Sequence, residues 1–342
     1  MPHVIAARTH QIHLAPPQGP AQLCIVPLLG PSQRRPAYRR LEGSALDKVH
    51  ITETSDAGSV PELVVHNTLS QRVYLMDGQE LVGAKQNRIL NTDVLAPPKQ
   101  KTLIPVSCVE QGRWAYRSER FTTGRSASSD IRRRKLARVH SSLREGAGHD
   151  ADQGAVWDEV AESLAGAHTD SQTQALSDAY DARQRQLVQL RQSLRLPRQT
   201  VGLAVFSGGK LRGLDLFDRH ATLRYFWQVL IDSYGLDYLG QQITVAPAQT
   251  QPAQAWPQVL QAVGSGQWER FPSPGEGEDW RLSHDHFAGS ALVWEEQSVV
   301  HLQLFPKEQS QPQSQRSGAR PRLRRRYLER ENEQPDPRRT CD

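Results

Sequence analysis

From residue 77 to residue 114 the chain reads Asp-Gly-Gln-Glu-Leu-Val-Gly-Ala-Lys-Gln-Asn-Arg-Ile-Leu-Asn-Thr, then a Pro-Pro loop, then Leu-Ile-Pro-Val-Ser-Cys-Val-Glu-Gln-Gly-Arg-Trp. The pattern is strand, turn, strand, loop, strand. Asp77-Gly78 is a strong turn signal, Gly83-Ala84 marks a bend, and Pro97-Pro98 ends one run before Thr102 begins the next. Glu80, Lys85, Gln86, Asn87, Arg88, Asn91, Cys108, Glu110 and Arg113 stand among Val, Leu and Ile. If these strands pack, such groups need partners. They either satisfy one another or face a ligand, and the two outcomes differ in whether they converge on a reachable hollow.

The flanking chain has the same short rhythm. Ile12 to Leu14, Leu23 to Leu29, Val49 to Glu53, Leu63 to Asn67 and Arg72 to Met76 are brief runs bounded by turn residues. Closely spaced strands without helical periodicity predict antiparallel hairpins in a sandwich or barrel. In Thr102 to Glu110, alternation puts Ile104, Val106, Cys108 and Glu110 on one face. Glu110 would then continue a buried row, with Arg88 or Arg113 as its counter-charge.

Beyond residue 117 the character changes. Ser, Gly and Arg fill 117–150, and the run Arg132-Arg133-Arg134-Lys135 reads as a solvated face, with phosphate contact as the alternative. Trp157, Val160, Ala161 and Leu164 recur at helical spacing. Ser171 with Gln174 fits a capping box for a helix carrying Ala175, Ala179, Leu187, Leu190 and Leu194 and ending before Pro197. Val201 to Phe206 and Leu211 to Phe217 flank Ser-Gly-Gly-Lys, which fails the Walker pattern and reads as a glycine hairpin. A helix is expected from Asp218 to about Leu239, a loop crossing over 245–258, and a last hairpin over 287–305. The expected class is α+β: an antiparallel β-sandwich or barrel-like core, a layer of two to four helices, and one composite domain over 10–306.

Composition narrows the partners. The formal charge is +5, yet after residue 306 ten Lys and Arg face six Asp and Glu, so most of the excess belongs to the tail. Weak nucleic-acid contact is expected there rather than in the core. Residues 307–342, poor in apolar side chains, are expected to be disordered. The three cysteines, Cys24, Cys108 and Cys341, form neither a disulfide framework nor a zinc knuckle. With no apolar leader segment and no run of membrane-spanning length, a cytoplasmic location is expected.

No GxGxxG after a strand, HExxH, GxSxG or CxxC occurs. His284-Asp285-His286 supplies two imidazoles without a third ligand and reads as a surface turn; no metal or other cofactor is expected. Cys108 reads as a core cysteine; a thiolate nucleophile is the alternative, with Lys85, Arg88 and Arg113 as the cations that would lower its pKa. Within the motif, Gln86, Asn87 and Asn91 suit a ribose or base edge, Arg88 and Arg113 a phosphate or carboxylate, and Trp114 a stacked ring. Glu80 and Glu110 are the acid–base candidates, with Cys108 as the third catalytic candidate. Lys85 adds a cation to the ligand-binding set. The alternative is a buried polar network that holds the sheet in register.

Gly78 to Asn91 followed by Ile104 to Trp114 resembles the ARG and Rhodanese-Phosphatase-superfamily-associated protein domain, in which ARG denotes ADP-ribosylglycohydrolase. Weaker echoes follow in Trp157 to Val160, Gln172 to Ala175, Gly209-Lys210, Asp215 to Asp218 and Ser233-Tyr234, so the similarity covers most of residues 12 to 305. The resemblance implies binding, extending to processing, of an ADP-ribose- or NAD-derived nucleotide, in the company of ADP-ribosylglycohydrolase or phosphatase pathway proteins. It assigns no catalytic roles. The competing expectation is a non-enzymatic adaptor.

Overall fold

Strands dominate the chain through residue 126. After α1 (His3–His10) come β1 (His13–Leu14), β2 (Leu23–Leu29), β3 (Tyr38–Arg39), β4 (Val49–Glu53), β5 (Glu62–Asn67), β6 (Arg72–Leu75), β7 (Gln79–Val82), β8 (Arg88–Leu90), β9 (Val94–Ala96), β10 (Gln100–Cys108) and β11 (Thr122–Ser126). A helical block follows, with α2 (Ser129–Arg144), α3 (Gln153–Ala167), α4 (Leu176–Ala182) and α5 (Gln184–Gln192). Then come β12 (Thr200–Ser207), β13 (Lys210–Phe217), α6 (His220–Gly240), α7 (Pro252–Ser265), β14 (Gln267–Pro272), β15 (Glu278–Ser283), β16 (Phe287–Trp294) and β17 (Ser298–Pro306). This computed structural model describes residues 3–20, 23–55, 61–240 and 252–307. The expected disordered tail and the first part of the expected 245–258 crossing lie outside the described residues.

The class is α+β, and among the described residues every strand pairing is antiparallel except that of β3 with β6. One sheet has eight strands in the order β1-β2-β12-β13-β17-β16-β15-β14. The second, a half-barrel, has the order β11-β7-β8-β10-β5-β4, and a small third sheet is β3-β6-β9. On one face of the large sheet, Val26, Leu28 and Ala204 pack with Ile5 of α1 and Val259, Ala262 and Val263 of α7. On the other, Ile25, Leu203 and Val205 meet Leu223, Phe226, Leu230 and Ile231 of α6, together with Tyr74 and Leu95 from the small sheet. Leu63, Val65, Leu81, Leu90, Ile104 and Val106 fill the half-barrel. Its opposite side carries Ile89 against the helices, among Val139, Val156, Val160 and Leu187.

Local chemistry explains the elements. Gly208 and Gly209 both have positive φ, 56° and 76°, which lets the Ser207–Lys210 turn join β12 to β13 at no steric cost. Ser128 caps α2 by accepting the Ile131 N–H at 3.3 Å.

Several expectations are corrected. The described residues hold seven α-helices rather than two to four. The single helix expected from Ser171 is two, α4 and α5, meeting at Arg183, which is C-cap of one and N-cap of the other. Its capping box is absent: Ser171 Oγ accepts the Ala175 N–H at 2.9 Å, Gln174 has φ 50°, and the helix starts one turn later. Part of the expected 245–258 crossing is α7. Pro252 fits its first position, where a missing N–H costs nothing, while Pro257 lies inside it. The hairpin of β14 and β15 went unread because its few apolar residues, Trp268, Phe271, Trp280 and Leu282, stand among charges. The basic run corrects most sharply. Arg132 and Lys135 are fully buried on α2, at 0% exposure, and are not a solvated face.

Candidate functional site

The 77–114 motif runs through β7, β8, β9 and β10, and its charged and amide candidates are buried. Arg88 is 0% exposed, Glu110 1%, Glu80 3% and Arg113 7%. They do not share one hollow. Leu81 pairs with Arg88 and Glu80 with Ile89, so strand alternation puts Arg88 on the side of Leu81 and Leu90, inside the half-barrel, and Glu80 on the side of Ile89, toward the helices. Asn87, just before β8, links the two sides. Its Nδ2 donates to Glu80 Oε1 at 3.4 Å, and its Oδ1 accepts from Arg113 Nη2 at 3.1 Å.

Most of the expected ligand groups already have partners. Arg113 donates from Nη1 to the carbonyls of Ala84 (2.7 Å) and Ala115 (2.8 Å), and from Nη2 to Glu110 Oε2 at 2.6 Å. It thereby pins the 111–120 loop, whose other residues are all exposed. Gln86 Nε2 donates to the Glu110 carbonyl at 3.0 Å. Asn91 donates to the His149 carbonyl at 3.0 Å and accepts from Ser107 Oγ at 2.9 Å. Cys108 is clamped through its backbone by Gln153, whose Oε1 accepts at 2.7 Å and whose Nε2 donates at 2.9 Å. Burial pushes the Cys108 thiol up, which opposes a resting thiolate.

The two carboxyl candidates differ in state. Burial raises Glu80 to about 7, against the pull of the Arg125 N–H, the Arg125 charge and Asn87. A bulge in β11 creates this contact, bringing the Arg125 N–H to 3.2 Å from Glu80 Oε2. Gly124 fits only because it has no Cβ, which would lie 2.6 Å from that oxygen. For Glu110, burial is outweighed by the Arg113 hydrogen bond and the Asn87 N–H, with further help from Arg117, and its pKa falls below the usual range.

What remains open lies around Arg88. Its Nη1 donates to Gln86 Oε1 at 2.7 Å, while Nε and Nη2 have no hydrogen-bond partner. Glu53, at the end of β4, lies 4.0 Å from Arg88 Nη2, and both of its buried carboxylate oxygens are unpartnered. Glu53 pairs with Leu63 and so faces the half-barrel interior. Sequence reading missed it because it lies a loop and two strands before the motif; the one signal available was its place in the alternating run Val49 to Glu53. Over this pair sits Trp114, 51% exposed, with its ring 5.8 Å from Arg88 Cζ and 5.3 Å from Lys85 Nζ. Tyr116, 54% exposed, lies 5.1 Å from Lys85 Nζ. Two exposed rings thus stand over two cations.

A second polar region, unforeseen from sequence, lies between α2, the small sheet and the large sheet. Lys135 Nζ contacts Asp77 Oδ1 and donates to the Asn91 carbonyl at 3.0 Å. Arg132 pairs with Asp215 and donates to Gln303 Oε1 at 3.0 Å. Arg281 donates to Asp279 at 2.6 Å and to Thr92 at 2.9 Å. His301 lies between Asp93, 2.9 Å from Nδ1, and Asp215, 3.2 Å from Nε2. Four carboxylates therefore meet three cations and one imidazole, and the charges balance when His301 is an imidazolium donating from both nitrogens. Burial opposes that charge, but Asp93 and Asp215 outweigh it and raise His301 to about 9. Asp215 is held well below the carboxylate range by Arg132 and His301, against burial. Gly78 in the motif's first turn rests on this network: a Cβ there would lie 2.9 Å from Arg132 Cγ.

A surface depression of about 500 Å³, lined by Gly19, Pro20, Gln186, Leu190, Ser193 and Tyr238 among others, takes no residue from either region. His284 and His286 have ring centroids 5.9 Å apart, and the described residues include no group of three or more His, Cys, Asp or Glu able to hold a metal. No described helix is long and apolar enough to cross a membrane. Among known proteins, the model of the ARG and Rhodanese-Phosphatase-superfamily-associated Protein domain matches residues 11–305. No curated protein and no solved structure matches.

Proposed function

Because the chain belongs to the ARG and Rhodanese-Phosphatase-superfamily-associated Protein domain family, we propose that it binds an ADP-ribose-like, NAD-derived nucleotide at the Trp114 end of the motif. One observation carries this reading. Trp114, within 6 Å of both Lys85 and Arg88, and Tyr116, within 6 Å of Lys85, are both half-exposed, so aromatic faces suited to a base adjoin cations suited to phosphates. Arg113 acts as a positioning residue that fixes the 111–120 loop over Arg88, and Gln86 and Asn87 hold Arg88 and Glu110 in place. Binding alone is proposed. Of the catalytic candidates, Cys108 is a buried thiol whose pKa burial raises, and Glu80 lies across the sheet from Arg88.

Calorimetric titration with ADP-ribose, NAD and AMP tests this. Heat is expected with ADP-ribose and should vanish in Trp114→Ala, whose exposed ring can be removed without unfolding the protein. A folded wild-type sample giving no heat with any of the three contradicts the reading.

The second reading is a non-enzymatic adaptor with the motif as an internal strut. The extensive pairing of Arg113, Asn91 and Gln86 favours it. In that case the motif's value lies in stability, and nucleotides produce no heat.

A further inference from the structure

We infer that Glu53 and Arg88 form a subsite for a neutral, hydroxyl-bearing group, and that in the nucleotide proposed above this group is the terminal ribose rather than a phosphate. The inference rests on that reading of the site and changes what Arg88 is for.

The geometry is specific. Glu53 Oε1 and Arg88 Nη2 are 4.0 Å apart, too far for a hydrogen bond. Both side chains are buried, at 5% and 0% exposure. Both Glu53 oxygens and Arg88 Nε and Nη2 have no partner, whereas buried polar groups in folded proteins are rarely left so. A hydroxyl oxygen about 2.8 Å from each group bridges a gap of this width. It would donate to the carboxylate and accept from the guanidinium, which no simple anion or cation can do.

Charge decides the class. The slot holds one carboxylate and one guanidinium, so its formal charge is zero. A phosphate entering it would meet the buried Glu53 carboxylate, and an ammonium would meet Arg88. A vicinal diol offers two hydroxyls, enough to engage both open carboxylate oxygens and both open nitrogens. Position then orders the ligand. The exposed rings of Trp114 and Tyr116 lie outermost, Lys85 lies beneath them, and the Glu53–Arg88 slot is deepest. A base at the rings and phosphates at Lys85 leave the sugar beyond the phosphates for the slot. Entry requires the exposed 111–120 loop to lift Trp114 from Arg88.

Calorimetry with ADP-ribose and with ADP, which lacks the terminal ribose, tests the subsite on the full chain and on Glu53→Gln. ADP-ribose is expected to bind wild type tighter than ADP by about tenfold or more, since a site built for a hydroxyl discriminates against its absence. Glu53→Gln should erase that difference. Equal affinities in wild type, unmoved by Glu53→Gln, mean that the slot holds only water; the subsite is then refuted while nucleotide binding stands. No heat from either ligand refutes both. If Glu53→Gln fails to fold, the wild-type ratio of the two affinities still decides.

Discussion

Arg132 and Arg88 are both fully buried guanidiniums, yet their surroundings differ. Arg132 pairs with Asp215, donates to Gln303, and lies 5.4 Å from the Phe305 ring and 5.9 Å from that of Tyr234. Its network of four aspartates, Lys135, Arg281 and His301 is neutral as a whole. Arg88 has one hydrogen bond, to Gln86, and a carboxylate 4.0 Å away that it does not bond. Burial is the same in both regions, so it does not separate strut from site. Open nitrogens do not separate them either, since Arg132 Nε and Arg281 Nε and Nη1 lack hydrogen-bond partners just as Arg88 Nε and Nη2 do. The carboxylates do: Glu53 has no hydrogen-bond partner, whereas every carboxylate of the Arg132 network has one. A buried charge network whose carboxylates are all hydrogen-bonded holds elements together, and one with an unbonded carboxylate beside an unbonded guanidinium nitrogen is suited to a ligand.

The sharpest way to break this contrast is to remove a cation from the neutral network. Arg132→Met takes the guanidinium from buried Asp215, leaving it with His301 and Tyr234, and is expected to cost about 3–5 kcal/mol, read by urea unfolding. A loss below about 1 kcal/mol would mean that the network is not a strut. Next come two pH windows, one from each region. His301, raised from 6.5 to about 9, contributes stability that is complete below pH 6.5 and lost as pH rises through 9. By linkage the total is about 3 kcal/mol, and His301→Gln should flatten it. Glu80, raised from 4.5 to about 7, binds its proton more tightly in the folded state. Its contribution is therefore complete below pH 4.5 and lost as pH rises through 7, again about 3 kcal/mol at most. Glu80→Gln should remove the slope in that lower window alone. Unfolding curves across both windows, taken with each variant, separate the two regions; a wild type flat in both would remove the electrostatic distinction.

Local patterns told more about the fold than about the partners of its charges. Leu23 to Leu29 and Val49 to Glu53 match β2 and β4, and the Ser-Gly-Gly-Lys turn joins β12 to β13, because alternation and glycine turns are written in adjacent residues. The family motif was equally legible. Arg132 and Lys135 were misread because their partners, Asp215 and Asp77, lie far off in sequence, and a basic run carries no local mark of burial. Glu53 was missed for the same reason. The motif's polar residues were expected on one hollow, but strand parity divides Glu80 from Arg88, and that division follows only once Glu80 is known to pair with Ile89. Helix α7 was hidden by prolines that normally signal a loop.

The smallest expected effect is the most decisive one. In Glu53→Gln no existing hydrogen bond is lost, while its preference for ADP-ribose over ADP should disappear. An unchanged preference for ADP-ribose would contradict the assignment of this pair to a ligand.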